Sequence, residues 1–151
     1  MVMGVLLGLV AVNLAQDDKA ALRNEAERLA QVLDVAADEA RISGKSIAWA
    51  ADDYGYRFLR LMPEGEWSEI RDNDVLRARK LLPGAAISEL RVESTRAKDS
   101  KRLEFPAGGS MLAFSIELSL RAEHSVVAAS PVGEMRVSMG KGVPNAETTP
   151  R

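Results

Sequence analysis

The chain opens with a segment that predicts one continuous helix, apolar at its start and amphipathic after it. Met1 to Ala15 carries no charge, and the helical pattern runs on without a break to about Ile42. Fifteen helical residues reach about 22 Å, short of the roughly 30 Å hydrocarbon core of a bilayer. A secretory signal is not predicted either, because the basic segment ahead of it and the small-residue cleavage site behind it are lacking. The opening therefore indicates part of a membrane anchor, or a helix that packs against other helices.

Beyond Asp17, apolar side chains recur at spacings of four and three residues, which places them on one face of a helix. Leucine and alanine there, without a long heptad array, favour a helix that lies across a sheet over a free coiled coil. Gly44 is the natural C-terminal stop. The predicted sheet-facing residues are Leu22, Ala26, Leu29, Leu33, Ala36 and Ala40.

The predicted helix would reach about 60 Å, longer than the core of a single domain requires. Its N-terminal half must therefore protrude from the domain. Apolar surface is stabilised by about 25 cal/mol per Å² when water is removed, so lipid or a bundle of similar helices would stabilise this half by several kcal/mol. The predicted assembly residues are Val5, Leu6, Leu9, Val10, Val12 and Leu14.

After Gly44 the hydrophobic period changes to two, which predicts β-strands and an α+β fold with the helix packed on antiparallel sheets. A hairpin is predicted around the turn Asp52 to Gly55. Leu112 to Leu120 has the clearest alternation, with Leu112 at the start of its core face. The full set of predicted strands is Ser46 to Ala51, Tyr56 to Met62, Trp67 to Ile70, Ile87 to Val92, Lys101 to Phe105, Leu112 to Leu120, Ser125 to Ser130 and Glu134 to Ser138.

Two polar stretches, Asp72 to Lys80 and Glu93 to Ser100, are predicted to be loops, and Pro63 to Glu66 is predicted to be a turn. Long polar loops often carry contacts with other molecules. These two stretches are therefore the first candidates for variable contacts with a neighbour.

Composition excludes several classes of function. The 151 residues suit one domain on a helical stalk, and 20 basic against 22 acidic residues give a net charge of −2 that attracts neither nucleic acid nor an anionic membrane. Cysteine is absent, so disulfides and thiolate chemistry are excluded. The single histidine, His124, is predicted to be a turn residue between two strands. No catalytic, cofactor-binding or metal-binding residue is therefore predicted.

Charged clusters elsewhere have ordinary explanations. Acidic residues near two predicted turns lack the alternating pattern of a calcium loop and are expected to be solvated. A basic stretch could meet phosphate, but Asp72 and Asp74 within it cancel much of its field, so a solvated loop is expected. The acidic residues are Asp52, Asp53, Glu64, Glu66 and Glu69, and the basic ones are Arg71, Arg77, Arg79 and Lys80.

Several segments resemble a known family, in the order in which that family has them. Met3 to Leu14 resembles the interior of the N-terminal helix of type IV pilin-like proteins. Glu25 to Leu33 and Ala37 to Gly44 resemble the helix and helix exit of the minor pseudopilin H family of type II secretion systems. Three later segments add to the resemblance, which extends to about Ser138: Asp53 to Phe58, Leu103 to Ser110 and Ser130 to Val137.

The resemblance implies a pilin-like fold and a structural subunit at or near the tip of a periplasmic pseudopilus, not an enzyme. It implies a single-pass inner-membrane protein of a Gram-negative bacterium with its globular domain in the periplasm. The expected partners are other minor and major pseudopilins, with inner-membrane lipid before assembly and with secreted cargo or the secretin as further candidates. No cofactor and no nucleic acid are expected.

The sequence departs from the family at its start. Family members begin with a Gly-Phe processing site, a methylated N-terminus and an early glutamate in the mature helix, and no position here matches these. Restoring roughly ten apolar residues before Met1 would give a run long enough to span a bilayer. We expect a start codon placed too late, or a trimmed chain. The expected division is residues 1–20 as the protruding partial anchor, 21–139 as the pilin-like domain and 140–151 as a flexible tail.

Two alternatives stay open from the residues. A minor pilin that binds DNA during uptake would share the domain, but it needs a basic patch, and the C-terminal segment offers only Arg136, Lys141 and Arg151 against Glu134 and Glu147. A soluble enzyme would need a concave pocket with convergent polar groups.

Overall fold

The computed structural model describes the backbone of residues 3–98 and 100–141, and the side chains of residues 16–98 and 100–141. A single helix, α1, spans Met3–Ser43. It ends at Gly44, whose φ of 67° is the left-handed conformation in which glycine commonly ends a helix. At 1.5 Å per residue α1 is about 60 Å long, as the sequence predicts.

Ten strands follow the helix within residues 44–98 and 100–141. They are β1 (Ile47–Ala51), β2 (Gly55–Leu61), β3 (Trp67–Glu69), β4 (Arg79–Lys80), β5 (Ala85–Val92), β6 (Thr95–Arg96), β7 (Lys101–Phe105), β8 (Phe114–Leu120), β9 (Glu123–Ala129) and β10 (Met135–Met139). All of their pairings are antiparallel. The α+β prediction, with a long helix on antiparallel sheets, is confirmed.

The strands form two sheets of five. In the first sheet the order is β3-β2-β1-β7, and β4 pairs with the same edge of β2 as β3 but at its other end. In the second sheet the order is β10-β9-β8-β5-β6. Helix α1 contacts β8, β9 and β10 of the second sheet and β1 and β7 of the first. One helix face therefore covers strands of both sheets.

A single apolar core lies between α1 and the two sheets. On the helix side it contains six residues that are 0 % exposed, Leu22, Ala26, Leu29, Leu33, Ala36 and Ala40. On the sheet side it contains an aromatic group on β1 and β2, where Tyr56 meets Phe58 edge to face at 5.9 Å between ring centroids. In β8 the buried residues alternate with half-buried ones, as a strand with one core face requires.

Several local predictions need correction. Strand β8 begins at Phe114, so Leu112 lies outside it and is 58 % exposed. His124 lies within β9 and not in a turn. The chain reverses before β9 begins, at Arg121, whose φ is 52°. Each predicted polar loop contains a two-residue strand, β4 in one and β6 in the other. Strand β4 pairs with the distant strand β2, whereas β6 forms a tight hairpin with the end of β5.

Two predictions concern residues outside the described part of the chain. One is the set of predicted assembly residues, whose backbone belongs to α1 but whose side chains are not described: Val5, Leu6, Leu9, Val10, Val12 and Leu14. The other is the predicted tail, of which residues 142–151 are not described. Within the described residues, no helix combines the length and the apolar composition needed to cross a membrane.

Candidate functional site

The first candidate site is the helix itself. Sheet contact along α1 begins near Ala21 and Leu22, whereas Gln16, Asp17, Lys19 and Ala20 are exposed. An ion pair of 3.2 Å between Arg121 and Asp18 fixes the turn between β8 and β9 beside the helix at this level. The backbone of α1 continues N-terminally from Asp18 for about 20 Å. The helix therefore has a sheet-packed half and a half that extends past the hairpin turn.

A buried polar group lies between the helix and the first sheet. Glu25 is only 7 % exposed, and its carboxylate accepts a hydrogen bond of 3.4 Å from the half-exposed Arg28 one turn later. The Tyr56 side chain faces the same region, and burial raises the pKa of its phenol, with Arg28 opposing and Glu25 reinforcing that shift. Its hydroxyl has no hydrogen-bond partner among the described residues. The Glu25–Arg28 pair and the nearby buried phenol thus form a polar contact between the helix and the first sheet.

The outer face of the second sheet carries a row of paired charges. Glu89 on β5 lies directly opposite Glu117 on β8, an unfavourable pairing of like charges. Arg91 donates a 2.8 Å hydrogen bond to Glu89, and Arg96 on β6 pairs with the same carboxylate. The Arg91 bond, with a further contribution from Arg96, lowers the pKa of Glu89 despite some opposing desolvation. The arginines therefore offset the repulsion from Glu117.

His124 completes this row from β9. Its Nδ1 lies 3.1 Å from Oε1 of Glu117, and Ser119 is its cross-strand neighbour. A serine, a histidine and a glutamate thus lie side by side. Among the described residues, however, no hydrogen bond joins Ser119 to His124, so the hydroxyl has no base that could activate it. The three side chains are half-buried neighbours on the outer face of the sheet. Groups of acidic and histidine side chains that could hold a metal ion are not found within the described residues.

A concave site lies at the end of the first sheet where β1 turns into β2. It is a cleft of ≈ 760 Å³. Its wall contains three cationic residues, Arg57, Arg79 and Lys80. The other lining residues are Ala50, Ala51, Asp52, Tyr54, Gly55, Tyr56 and Ala78.

Local geometry explains why the cations meet there. Arg79 pairs with Tyr56 and Lys80 pairs with Gly55 in the β2–β4 ladder. A Cβ at Gly55 would be 2.7 Å from the carbonyl oxygen of Arg79, so only glycine lets β4 approach this closely. The turn is closed by Asp52, whose Oδ1 accepts hydrogen bonds of 2.8 Å from the backbone N–H groups of Tyr54 and Gly55.

The sequence predicts these cations to be part of a solvated loop. Within that stretch Arg71 is indeed paired, through a 2.8 Å bond to Glu69, and Asp72 lies 3.7 Å from Arg60. Arg79 and Lys80 behave differently, because they belong to β4 and line the cleft. The contribution of Arg57 had no local signal, since it comes from another strand. The acidic residues considered for calcium are used otherwise, with Asp52 in the turn and Asp53 paired with Lys101.

Three comparisons with known proteins bear on this architecture. The family model described as "Type II transport protein GspH" matches residues 25–137. Among curated proteins, nothing matches the chain.

Solved structures of minor pseudopilins resemble this fold over most of the chain. Two structures of EpsH from Vibrio cholerae superpose with TM-scores of 0.68 and 0.61 at 16% and 18% identity, covering 83% and 76% of this chain and 99% and 93% of theirs. The solution structure of Escherichia coli GspH superposes with a TM-score of 0.60 at 16% identity, covering 89% of this chain and 96% of that chain. The predicted pilin-like fold is confirmed.

Proposed function

The chain belongs to the type II transport protein GspH family and is a minor pseudopilin of a type II secretion system, and we propose that α1 is the element through which it assembles. The family implies assembly with other pseudopilins, and a periplasmic globular domain anchored in the inner membrane. The DNA-binding minor pilin is not favoured, since the matching family is one of protein transport.

The observation that carries the proposal is the length of α1 N-terminal to the ion pair between Asp18 and Arg121. The globular core uses the face from Leu22 to Ala40, and the helix backbone continues about 20 Å beyond the level of Asp18. The sequence of the extending half is uncharged from Met1 to Ala15. Uncharged, leucine- and valine-rich helices are stable in lipid or among similar helices. Val5, Leu6, Leu9, Val10, Val12 and Leu14 are the residues we assign to this contact.

This geometry supports a division of the chain into two parts with different roles. Residues 1–20 act in membrane retention and helix-to-helix assembly, and residues 21–139 form the domain that projects into the periplasm. Before assembly the partner of the extending half is inner-membrane lipid, and afterwards it is the bundle of major and minor pseudopilin helices. We place the subunit at or near the pseudopilus tip, where secreted cargo and the secretin are the available further contacts.

A charge placed in the extending half tests the proposal. Leu9→Arg introduces a charge that costs about 2.5 to 3.5 kcal/mol at the centre of a membrane helix, so membrane retention and co-purification with other pseudopilins should both fall. Gln31→Arg is the matched control, because Gln31 is exposed on the sheet-packed half. It should keep both properties.

The readouts are the membrane fraction of the protein, the amount of other pseudopilins that co-purify with it, and secretion by the complemented cells. Both variants should keep the thermal unfolding midpoint of the parent protein. If Leu9→Arg assembles as well as Gln31→Arg at equal protein levels, α1 is not the assembly element and the proposal fails.

A further inference from the structure

The cleft between β1, β2 and β4 differs from the rest of the surface in its charge balance. About half of the cations in the described part of the chain have a carboxylate partner, including Arg60, Arg91, Lys101 and Arg121, but none of the three in the cleft wall does. Arg57 and Lys80 have no carboxylate or hydrogen-bond partner among the described residues. The cleft therefore gathers cations whose charge is not compensated within the fold.

Arg79 is the third cation of the cleft, and its situation is the most constrained. Its terminal nitrogen donates a 3.4 Å hydrogen bond to the backbone carbonyl of Asp74, and no carboxylate of the described residues pairs with it. Its Nε is buried without a hydrogen-bond partner among those residues. A guanidinium that has lost part of its hydration without a compensating acceptor gains more from a nearby anion than a fully hydrated one does.

The single carboxylate in the cleft wall does not neutralise this charge. Asp52 is held in the turn by two backbone N–H groups, and its neighbour Asp53 pairs with Lys101. Three cations and one engaged carboxylate leave the lining with an excess of positive charge. The cleft is therefore suited to a ligand that carries more than one negative charge.

The remaining lining residues distinguish a protein ligand from a nucleic acid. Tyr54 is 72 % exposed at the rim, and Ala50, Ala51 and Ala78 add apolar surface between the cations. Exposed tyrosine with arginine around a small apolar patch is typical of protein interfaces. A nucleic acid would instead need a basic stripe that follows its backbone, whereas Asp72 and Asp74 lie on the segment that leads into β4.

We propose that this cleft binds an acidic segment of a partner protein, with Arg57, Arg79 and Lys80 contacting its carboxylates and Tyr54 covering it from the rim. The planar guanidinium groups can accept a carboxylate through two parallel hydrogen bonds, which gives geometric selectivity in addition to charge. This role is separate from that of α1, and either can hold without the other.

The test is a titration of the isotope-labelled full chain in zwitterionic detergent with the peptide acetyl-GEEEG-amide, followed by amide chemical shifts. The peptide acetyl-GQQQG-amide is the matched neutral probe. We expect saturable shifts confined to Tyr54, Gly55 and the β4 amides with the acidic peptide only. The affinity should fall as salt is raised, because exposed charges are screened.

Two double variants each remove two positive charges, one from the cleft and the other, as the control, from outside it. Arg57→Gln with Lys80→Gln should weaken peptide binding about tenfold, as expected for the loss of two exposed charge contacts. Arg23→Gln with Lys45→Gln removes two exposed cations that do not line the cleft and should leave binding unchanged. Amide spectra that superpose outside the cleft establish that each variant is folded.

Three results would overturn the proposal. The first is an equal response to the neutral peptide, and the second is an equal loss of binding in both double variants. The third is tighter binding of a short DNA duplex at the same amides, which would assign the cleft to a nucleic acid. None of these results depends on the assembly role of α1.

Discussion

The outer row of charges on the second sheet and the cleft end of the first sheet treat their polar groups in different ways. On the second sheet the opposed carboxylates Glu89 and Glu117 each have a cation or a histidine beside them. On the first sheet, among the described residues, the buried Tyr56 hydroxyl lacks a partner, and so do the exposed cations Arg57 and Lys80.

The difference separates charges that stabilise the fold from charges that remain available. A paired charge in a sheet fixes strand register and offsets local repulsion, and it gives little to a partner. An unpaired charge contributes little to folding, and it can form a new pair without breaking an old one. The Glu89–Glu117 row of the second sheet is therefore satisfied within the fold, while the cleft end of the first sheet retains the capacity for new charge contacts.

The largest expected effect tests whether the two sheets are separable at all. Leu118→Ala in the second sheet and Phe58→Ala in the first remove side chains that are 0 % exposed, and each should cost about 3 to 5 kcal/mol of the free energy of unfolding. One core cluster includes both residues, so denaturant unfolding should stay a single transition in each variant. Two resolved transitions would mean that the sheets are independent units and would break the comparison.

Removing the charge at Glu89 tests whether the paired charges on the second sheet stabilise the fold. Glu89→Gln leaves Arg91 and Arg96 without their carboxylate and should lower the free energy of unfolding by about 1 kcal/mol at neutral pH. Glu104→Gln on β7 is the control. The Glu104 side chain is 58 % exposed, and its Oε1 makes a single contact of 3.5 Å with Nε of Arg102. In the same urea titration, the free energy of unfolding should fall less in Glu104→Gln than in Glu89→Gln.

The effect of Glu89→Gln should also depend on pH in a defined direction. Because the pKa of Glu89 is lowered in the folded state, its contribution is full above the usual value near 4.5 and disappears as the pH falls through the folded value. The difference between parent and variant should therefore shrink on acidification. A difference that persists unchanged well into the acid range would contradict the role of the carboxylate charge.

The unpartnered phenol on the first sheet should behave in the opposite way. Tyr56→Phe removes a buried hydroxyl that has no partner, so the free energy of unfolding should change by less than about 0.5 kcal/mol or rise. Burial raises the pKa of Tyr56, so the parent protein should lose stability above its usual value of 10.0, where the unfolded chain ionises first. The variant should lose less stability than the parent protein in that pH range. A clear loss of stability at neutral pH would indicate a partner for the hydroxyl.

The smallest expected effect concerns the two exposed cations of the cleft that have no carboxylate partner. Arg57→Gln and Lys80→Gln, measured singly, should shift the free energy of unfolding by no more than about 0.5 kcal/mol, as is usual for exposed side chains without partners. Thermal unfolding at low and high salt checks this. A larger loss in either variant would show that the cation serves the fold, and the contrast between the sheets would disappear.

Much of the architecture could be predicted because it depends on local periodicity. The spacing of Leu22, Leu29 and Leu33 predicts a helix face, and the alternation from Phe114 to Leu120 predicts a strand with one buried side. Errors arose where local pattern and pairing disagree. Leu112 continues the alternation but lies before the first residue that pairs with β9, and His124 follows turn-forming residues yet pairs with Ser119.

The cleft could not be predicted, for a reason that is physical. Arg57 and Lys80 lie far apart in the chain, and their proximity depends on β4 pairing with β2. That pairing in turn needs the close backbone approach that Gly55 permits. Local sequence shows only a basic stretch with interleaved acids, and it does not show which of those cations find a carboxylate.

The sequence by itself determined the helix, its sheet-facing residues, the alternation of the main strands and the resemblance to a pilin-like family. Each of these depends on interactions between residues that are near neighbours in the chain, or on a linear order of motifs. Only the tertiary structure decided which charges are paired and which are open. Charge pairing across strands is set by register and sheet order, which arise when the whole core is packed and not from any single segment.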